Sequence, residues 1–176
     1  DPKTQREKRR SPVSKNAVCQ ELIKQAVTNR IPLRFVLFDV WFASAETMVF
    51  LKQQQHRDFI CPLKTNRKVA LSVADKHQGR YTRVDTLEWE AYAAKIVYLE
   101  GVDFPLVLVK QVFTNEDGSR GIRYLVSSDT TLSFADLTTT YHERWGVECY
   151  HKSLKQNVSL AKSPTQTVTT QTNHFF

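Results

Sequence analysis

A chain of 176 residues is long enough for one hydrophobic core with a small second lobe, and 41% hydrophobic with 24% charged residues is a globular composition that excludes wholesale disorder. A formal net charge of +7 favours an anionic partner, nucleic acid before acidic membrane, although a merely basic surface gives the same sum. No apolar run reaches membrane-spanning length, and no charged-then-apolar leader opens the chain. The three cysteines, Cys19, Cys61 and Cys149, form no Cys-x-x-Cys pair, so they support neither a disulfide framework nor a zinc ribbon and fit a reduced cytosolic setting.

The chain opens at Asp1-Pro2 without Met and ends on Asn173-His174-Phe175-Phe176, and both ends read as truncations. Lys3, Arg6, Lys8, Arg9 and Arg10 crowd the first thirteen residues, as an exposed basic arm or a solubilising tail. Ser14 is placed to cap a helix running to about Arg30, with Ala17, Val18, Leu22, Ile23, Ala26 and Val27 as its buried face. Ile31-Pro32 stops that helix, and Leu33 to Phe38 reads as a buried strand ending at Asp39. Ser44 begins a second helix through about Gln55.

Short strands follow, expected at Phe59–Pro62, Val69–Val73, Arg80–Val84, Lys95–Leu99, Leu106–Phe113 and Ile122–Val126. Asn115-Glu116-Asp117-Gly118 predicts a hairpin turn between the last two, and Thr86–Ala94 stays ambiguous. Ser133 then caps one long helix through about Gln156, closed by Ser163-Pro164-Thr165 and a Thr-rich tail. This order predicts a mixed α/β fold with a strand-rich middle. With five glycines and no glycine-rich loop, a nucleoside triphosphatase is improbable. The spacing of His142, His151 and His174 matches no zinc motif.

Two places carry chemistry. At about 100° per residue, Tyr141, Arg144, Glu148 and Lys155 fall within roughly 60° of one another on a helix. One carboxylate, two cations and a phenol then share a face, suited to a hard metal ion and to phosphate; the bland alternative is a solvated face with an ordinary Arg144–Glu148 i,i+4 pair. The second place is Asp39, since an acid at the end of an apolar strand needs a metal ion, a hydrogen-bond cluster or a capping role to offset desolvation. Strand ends of this kind are where α/β sheets gather ligands.

The pattern Tyr141-x2-Arg144-x3-Glu148-x6-Lys155, with Trp145 directly after the Arg, resembles the signature of a branch of the DDE transposases of bacterial insertion sequences. The resemblance spans nearly the whole chain in the right order and implies a ribonuclease-H-like core. Residues 1–57 would be a partial core with the second catalytic Asp, Asp39. Residues 58–131 would be a β-rich insertion, and 132–176 the helix bearing Glu148. It further implies that Asp39 and Glu148 hold Mg²⁺ or Mn²⁺ for in-line phosphoryl displacement on DNA. Arg144 and Lys155, with Tyr141 beside them, would contact the DNA backbone, and Lys152 and Trp145 are counted with them. Trp41 would line the floor of the site, Trp145 reads as core packing ahead of a DNA contact, and Trp89 lies in the insertion where it can meet a base.

The family's first Asp, expected on an apolar strand before the basic segment, has no match: Asp1 leads into Pro-Lys-Thr. The expectation is therefore part of a cut-and-paste DNA transposase that is inactive alone. The parent would be a homodimer on double-stranded transposon ends in the bacterial cytoplasm. A non-catalytic DNA-binding module, or a metal-dependent nuclease of the same fold, is the alternative. If the first strands are absent, Leu33–Phe38 should sit at an open sheet edge.

Overall fold

The computed structural model describes residues 12–115 and 117–157, apart from the side chains of Lys155 and Asn157; the basic arm through Arg10 and the tail from Ser163 lie outside the described residues. The chain divides into two compact units, Asp1–Thr138 and Thr139–Phe176.

Helix α1, Lys15–Thr28, begins where Ser14 Oγ accepts the Ala17 N–H at 3.1 Å, the capping that the sequence predicts. Its buried stripe is narrower than expected. Ile23 is buried, with Cys19, Ala26 and Val27 partly covered, whereas Ala17, Val18 and Leu22 face solvent. Strand β1 is shorter than predicted, Phe35–Leu37, and only half-buried, with Phe38 beyond it as the buried residue. Helix α2, Ala45–Val49, starts on Ser44, whose Oγ accepts the Thr47 N–H at 3.1 Å, and continues as a wider π turn over Phe50–Gln54.

The predicted strand block forms β2 (Asp58–Leu63), β3 (Lys68–Ala70), β4 (Thr82–Arg83), β5 (Ala94–Leu99), β6 (Leu106–Thr114) and β7 (Arg120–Ser127). Val73 belongs not to β3 but to a short helix α3, Val73–His77, because Ser72 caps it by accepting the Asp75 N–H. Of the run Arg80–Val84 only two residues pair as strand, and the stretch after it opens with a tight helical turn at Val84–Thr86. The β6–β7 turn closes with the Asn115 N–H donating to Ser119 O at 2.8 Å, and Gly118 supplies a left-handed φ of 80°. Glu116, in the predicted turn, lies outside the described residues.

The seven strands among the described residues join one mixed sheet in the order β1-β2-β7-β6-β5-β3-β4. β1 runs parallel to β2, with Phe35 opposite Asp58, and the other pairings are antiparallel. β1 has β2 as its one neighbour among the described strands, which is the open edge that the sequence predicts. Phe59, Cys61 and Leu63 of β2 share one core with Leu108, Val126, Ile23 and Met48. The alternate positions Ile60, Val107, Val109 and Leu125 are buried as well, so the sheet is covered on both faces. The result is the mixed α/β architecture expected of a ribonuclease-H-like core.

In the final segment the single long helix expected from Ser133 to Gln156 is two, α4 (Phe134–His142) and α5 (Trp145–Asn157). Between them Glu143 and Arg144 donate to carbonyls three residues back, Thr140 and Tyr141, each at 3.2 Å, instead of four. Gly146 follows at once, and its low helix propensity makes a break there inexpensive.

Candidate functional site

Asp39 sits where β1 has ended and the chain turns. Its Oδ1 accepts the Val40 N–H at 2.5 Å and its carbonyl accepts the Phe42 N–H at 3.0 Å, capping the tight turn Val40–Phe42. The capping role, one of the readings open from sequence, is therefore occupied. Among the described residues no cation pairs with this carboxylate.

The turn that follows Asp39 brings an aromatic side chain beside basic ones. Trp41, expected on a site floor, stands 77% exposed, with Lys64 Nζ 5.9 Å from its ring centre. Trp41, Ser44, Lys64 and Arg67 line a cavity of about 200 Å³. Arg67 also borders a neighbouring cavity of about 400 Å³ with Asn66, Lys68, Gly101 and the acidic Glu100. Both open around the turn from β2 to β3, at the C-terminal end of the parallel β1–β2 pair, the end where such sheets take ligands. The sequence reading missed this turn. Its one local signal is the run Lys64-Thr65-Asn66-Arg67-Lys68, three cations in five residues directly after an apolar strand.

The second group lies on α4 and α5. Tyr141 is buried, and the guanidinium of Arg144 lies 5.5 Å from its ring centre. Arg144 Nη2 donates to Glu148 Oε1 at 2.5 Å. Burial disfavours the Arg144 charge, but the bond to Glu148 and the nearby Tyr141 outweigh it and raise its pKa above the ordinary guanidinium value. Arg144 Nε is buried with no hydrogen-bond partner. A donor held dry and unused is unfavourable unless something visits it. Trp145 is 56% exposed, which rules out the core-packing role for it, and Lys152 is exposed on α5. The Lys155 side chain, the fourth member of the motif, lies outside the described residues.

Tyr141, Arg144 and Glu148 are thus assembled as one contiguous group, while Asp39 belongs to the other compact unit. Both acids offer the hard oxygen donors that a divalent cation takes. Among the described residues no group of three or more His, Cys, Asp or Glu side chains comes together to hold one. Trp89 packs against the core, tilted on Tyr124 at 6.0 Å, under the Lys95 ammonium and with its indole Nε1 buried without a partner.

A comparison with curated proteins finds no match. A family model described as "Transposase DDE domain" matches residues 13–176, which takes in both Asp39 and the whole Tyr141–Lys155 motif. The chain belongs to the DDE transposase domain family.

Proposed function

We propose that this chain works within a DNA transposase, in metal-dependent strand cleavage and transfer. Asp39 serves as the second catalytic carboxylate and Glu148 as the last. Residues 1–57 act as partial core, 58–131 as the β-rich insertion, and 132–176 as the helical segment bearing Glu148. The observation that carries this reading is the Tyr141–Arg144–Glu148 group, in which a stacked Arg keeps one N–H unspent beside the acid. In this role Arg144 offers a fork to a backbone phosphate, with Tyr141 fixing its plane and Lys152, Lys155 and Trp145 extending the contact along the strand.

Asp39 and Glu148 would hold Mg²⁺ or Mn²⁺, which supplies charge stabilisation for the attacking and leaving oxygens of an in-line displacement. Glu148 would then exchange its partner Arg144 for the cation, freeing the guanidinium for phosphate. The partner is double-stranded DNA at transposon ends, engaged by two copies of the complete enzyme in the bacterial cytoplasm.

On this reading Asp39 and Glu148 are two of three carboxylates that must act together, so the polypeptide alone is expected to cut no DNA. A nicking and strand-transfer assay with Mg²⁺ and Mn²⁺ tests this. Activity should emerge when an Asp-bearing strand is supplied ahead of residue 1, and should vanish again with Glu148→Gln. Robust cleavage by the polypeptide alone contradicts the assignment. A second reading, a DNA-binding module without catalysis, is favoured by the net charge of +7 and by the engagement of both acids, Asp39 as a cap and Glu148 in an ion pair. Salt-sensitive DNA binding that no added Asp-bearing strand converts into cleavage would select it.

A further inference from the structure

Residues three apart on a helix are neighbours, and one imidazole falls inside the stripe that carries the motif. On α5, at about 100° per residue, Glu148, His151 and Lys155 share an arc of roughly 60°. Glu148 and His151 line one cavity of about 540 Å³ with Lys152 and Gln156. All four belong to the compact unit Thr139–Phe176. The spacing of the histidines from one another hid this pairing, because His151 pairs with an acid, as Glu148-x-x-His151. A Glu-x-x-His pair on one helix is a chelating arrangement, since both side chains project the same way and reach one metal centre.

Charge alone does little for a divalent cation here. Arg144 pairs with Glu148 through Oε1, and Lys152 borders the cavity, so two cations face one carboxylate. Mg²⁺, held through hard oxygens and charge, gains little from such a place. An imidazole nitrogen adds a directional coordinate bond, and it favours transition metals over Mg²⁺. An ionised carboxylate has two oxygens and about four acceptor sites, so a cation can share Glu148 before its pair with Arg144 opens. We infer that Glu148 and His151 form a two-donor site for a divalent transition metal ion, with His151 setting which metal the chain prefers. The inference rests on the metal reading above and deepens it, adding a nitrogen donor where that reading has oxygen alone.

Isothermal titration of the full, untagged chain with Mg²⁺, Mn²⁺ and Co²⁺ tests this at about pH 8, where an ordinary imidazole is neutral. Wild type should bind Co²⁺ more tightly than Mn²⁺, and Mn²⁺ more tightly than Mg²⁺. Losing a residue that merely supports a metal ligand costs about 10–100-fold in affinity, so His151→Ala should weaken Co²⁺ at least about tenfold while Mg²⁺ stays within about twofold. His151→Glu, which puts an oxygen donor in place of the nitrogen, should hold Mg²⁺ at least as well as wild type and lose the preference for Co²⁺. His142→Ala and Cys149→Ser should bind as wild type does. His151 is exposed, so its variants should melt with wild type, and a thermal scan checks this.

Unchanged Co²⁺ affinity in His151→Ala overturns the inference. So does an equal loss for Mg²⁺ and Co²⁺, or an equal loss in Cys149→Ser. If Glu148→Gln weakens every metal while His151→Ala weakens none, the nitrogen donor alone fails and the metal reading stands. If folded wild type binds no metal, or binds it equally after both changes, the inference fails and the cleavage assay with the Asp-bearing strand decides the metal reading by itself.

Discussion

Asp58 shows how one acid is kept charged where the fold needs it. It opens β2, and its Oδ1 accepts from Lys52 Nζ and from Ser128 Oγ, each at 2.6 Å; Ser128 Oγ in turn accepts the Phe59 N–H at 3.2 Å. Burial pushes the Asp58 pKa up, but the two hydrogen bonds and the Lys52 charge prevail and hold it below the usual carboxylate value. A carboxylate depressed in the folded state stabilises fully above its unfolded pKa of about 4, and that stabilisation is lost as pH falls through the folded value. Asp58→Asn should therefore cost about 1 kcal/mol at pH 7 in urea melts, with the gap to wild type closing as pH falls below about 4. A gap independent of pH would mean that the carboxylate charge contributes nothing. Glu148 makes the opposite case. Its pair with Arg144 is partly exposed and local, so Glu148→Gln should change stability by no more than about 0.5 kcal/mol. The same change should abolish cleavage in a polypeptide carrying all three carboxylates, and a large loss of stability would instead mark Glu148 as structural.

At the scale of elements, what could be read from sequence was whatever is settled by neighbours in the chain. The caps Ser14 and Ser44 and the β6–β7 hairpin are local hydrogen-bond choices, and they stand where the residues placed them. Tyr141, Arg144 and Glu148 were legible for the same reason, since their spacing survives the tight turn between α4 and α5. The break itself was hidden because side-chain periodicity continues across it while the backbone bonds change partners. The Lys64–Arg67 turn went unread because it gains meaning from Trp41, which only the parallel pairing of β1 with β2 brings beside it. Gly146 tests the helix break directly. A Cβ built there meets nothing within 4 Å, and its φ is not left-handed. Gly146→Ala should then raise stability by roughly 0.5–1 kcal/mol through better helix propensity, with more helical signal in circular dichroism. Destabilisation would show that the junction requires glycine for a reason other than space.

For the whole molecule the decisive feature is that β2 joins the edge strand β1 to the antiparallel strands of the middle block. Asp39 and Trp41 hang from β1, and among the described strands β1 is held in the sheet by β2 alone. Phe59 anchors that junction: it is fully buried in β2, tilted against Phe38 at 5.8 Å, and its partner across the pairing is Val36. Truncating such a ring removes its burial and leaves a cavity, a loss of about 3–5 kcal/mol from a total of roughly 5–15. Phe59→Ala should lower the melting temperature by about 10 °C, given a few degrees per kcal/mol for a chain of this size. Phe59→Leu, which keeps most of the volume, should recover much of the loss. If β1 depends on this contact, Phe59→Ala should also speed amide hydrogen exchange in the Asp39–Trp41 turn well below the melting transition, because that turn loosens before the sheet as a whole opens. Unchanged exchange there in a clearly destabilised Phe59→Ala protein would show that β1 keeps its place without β2 packing, and the edge strand would then need another source of support.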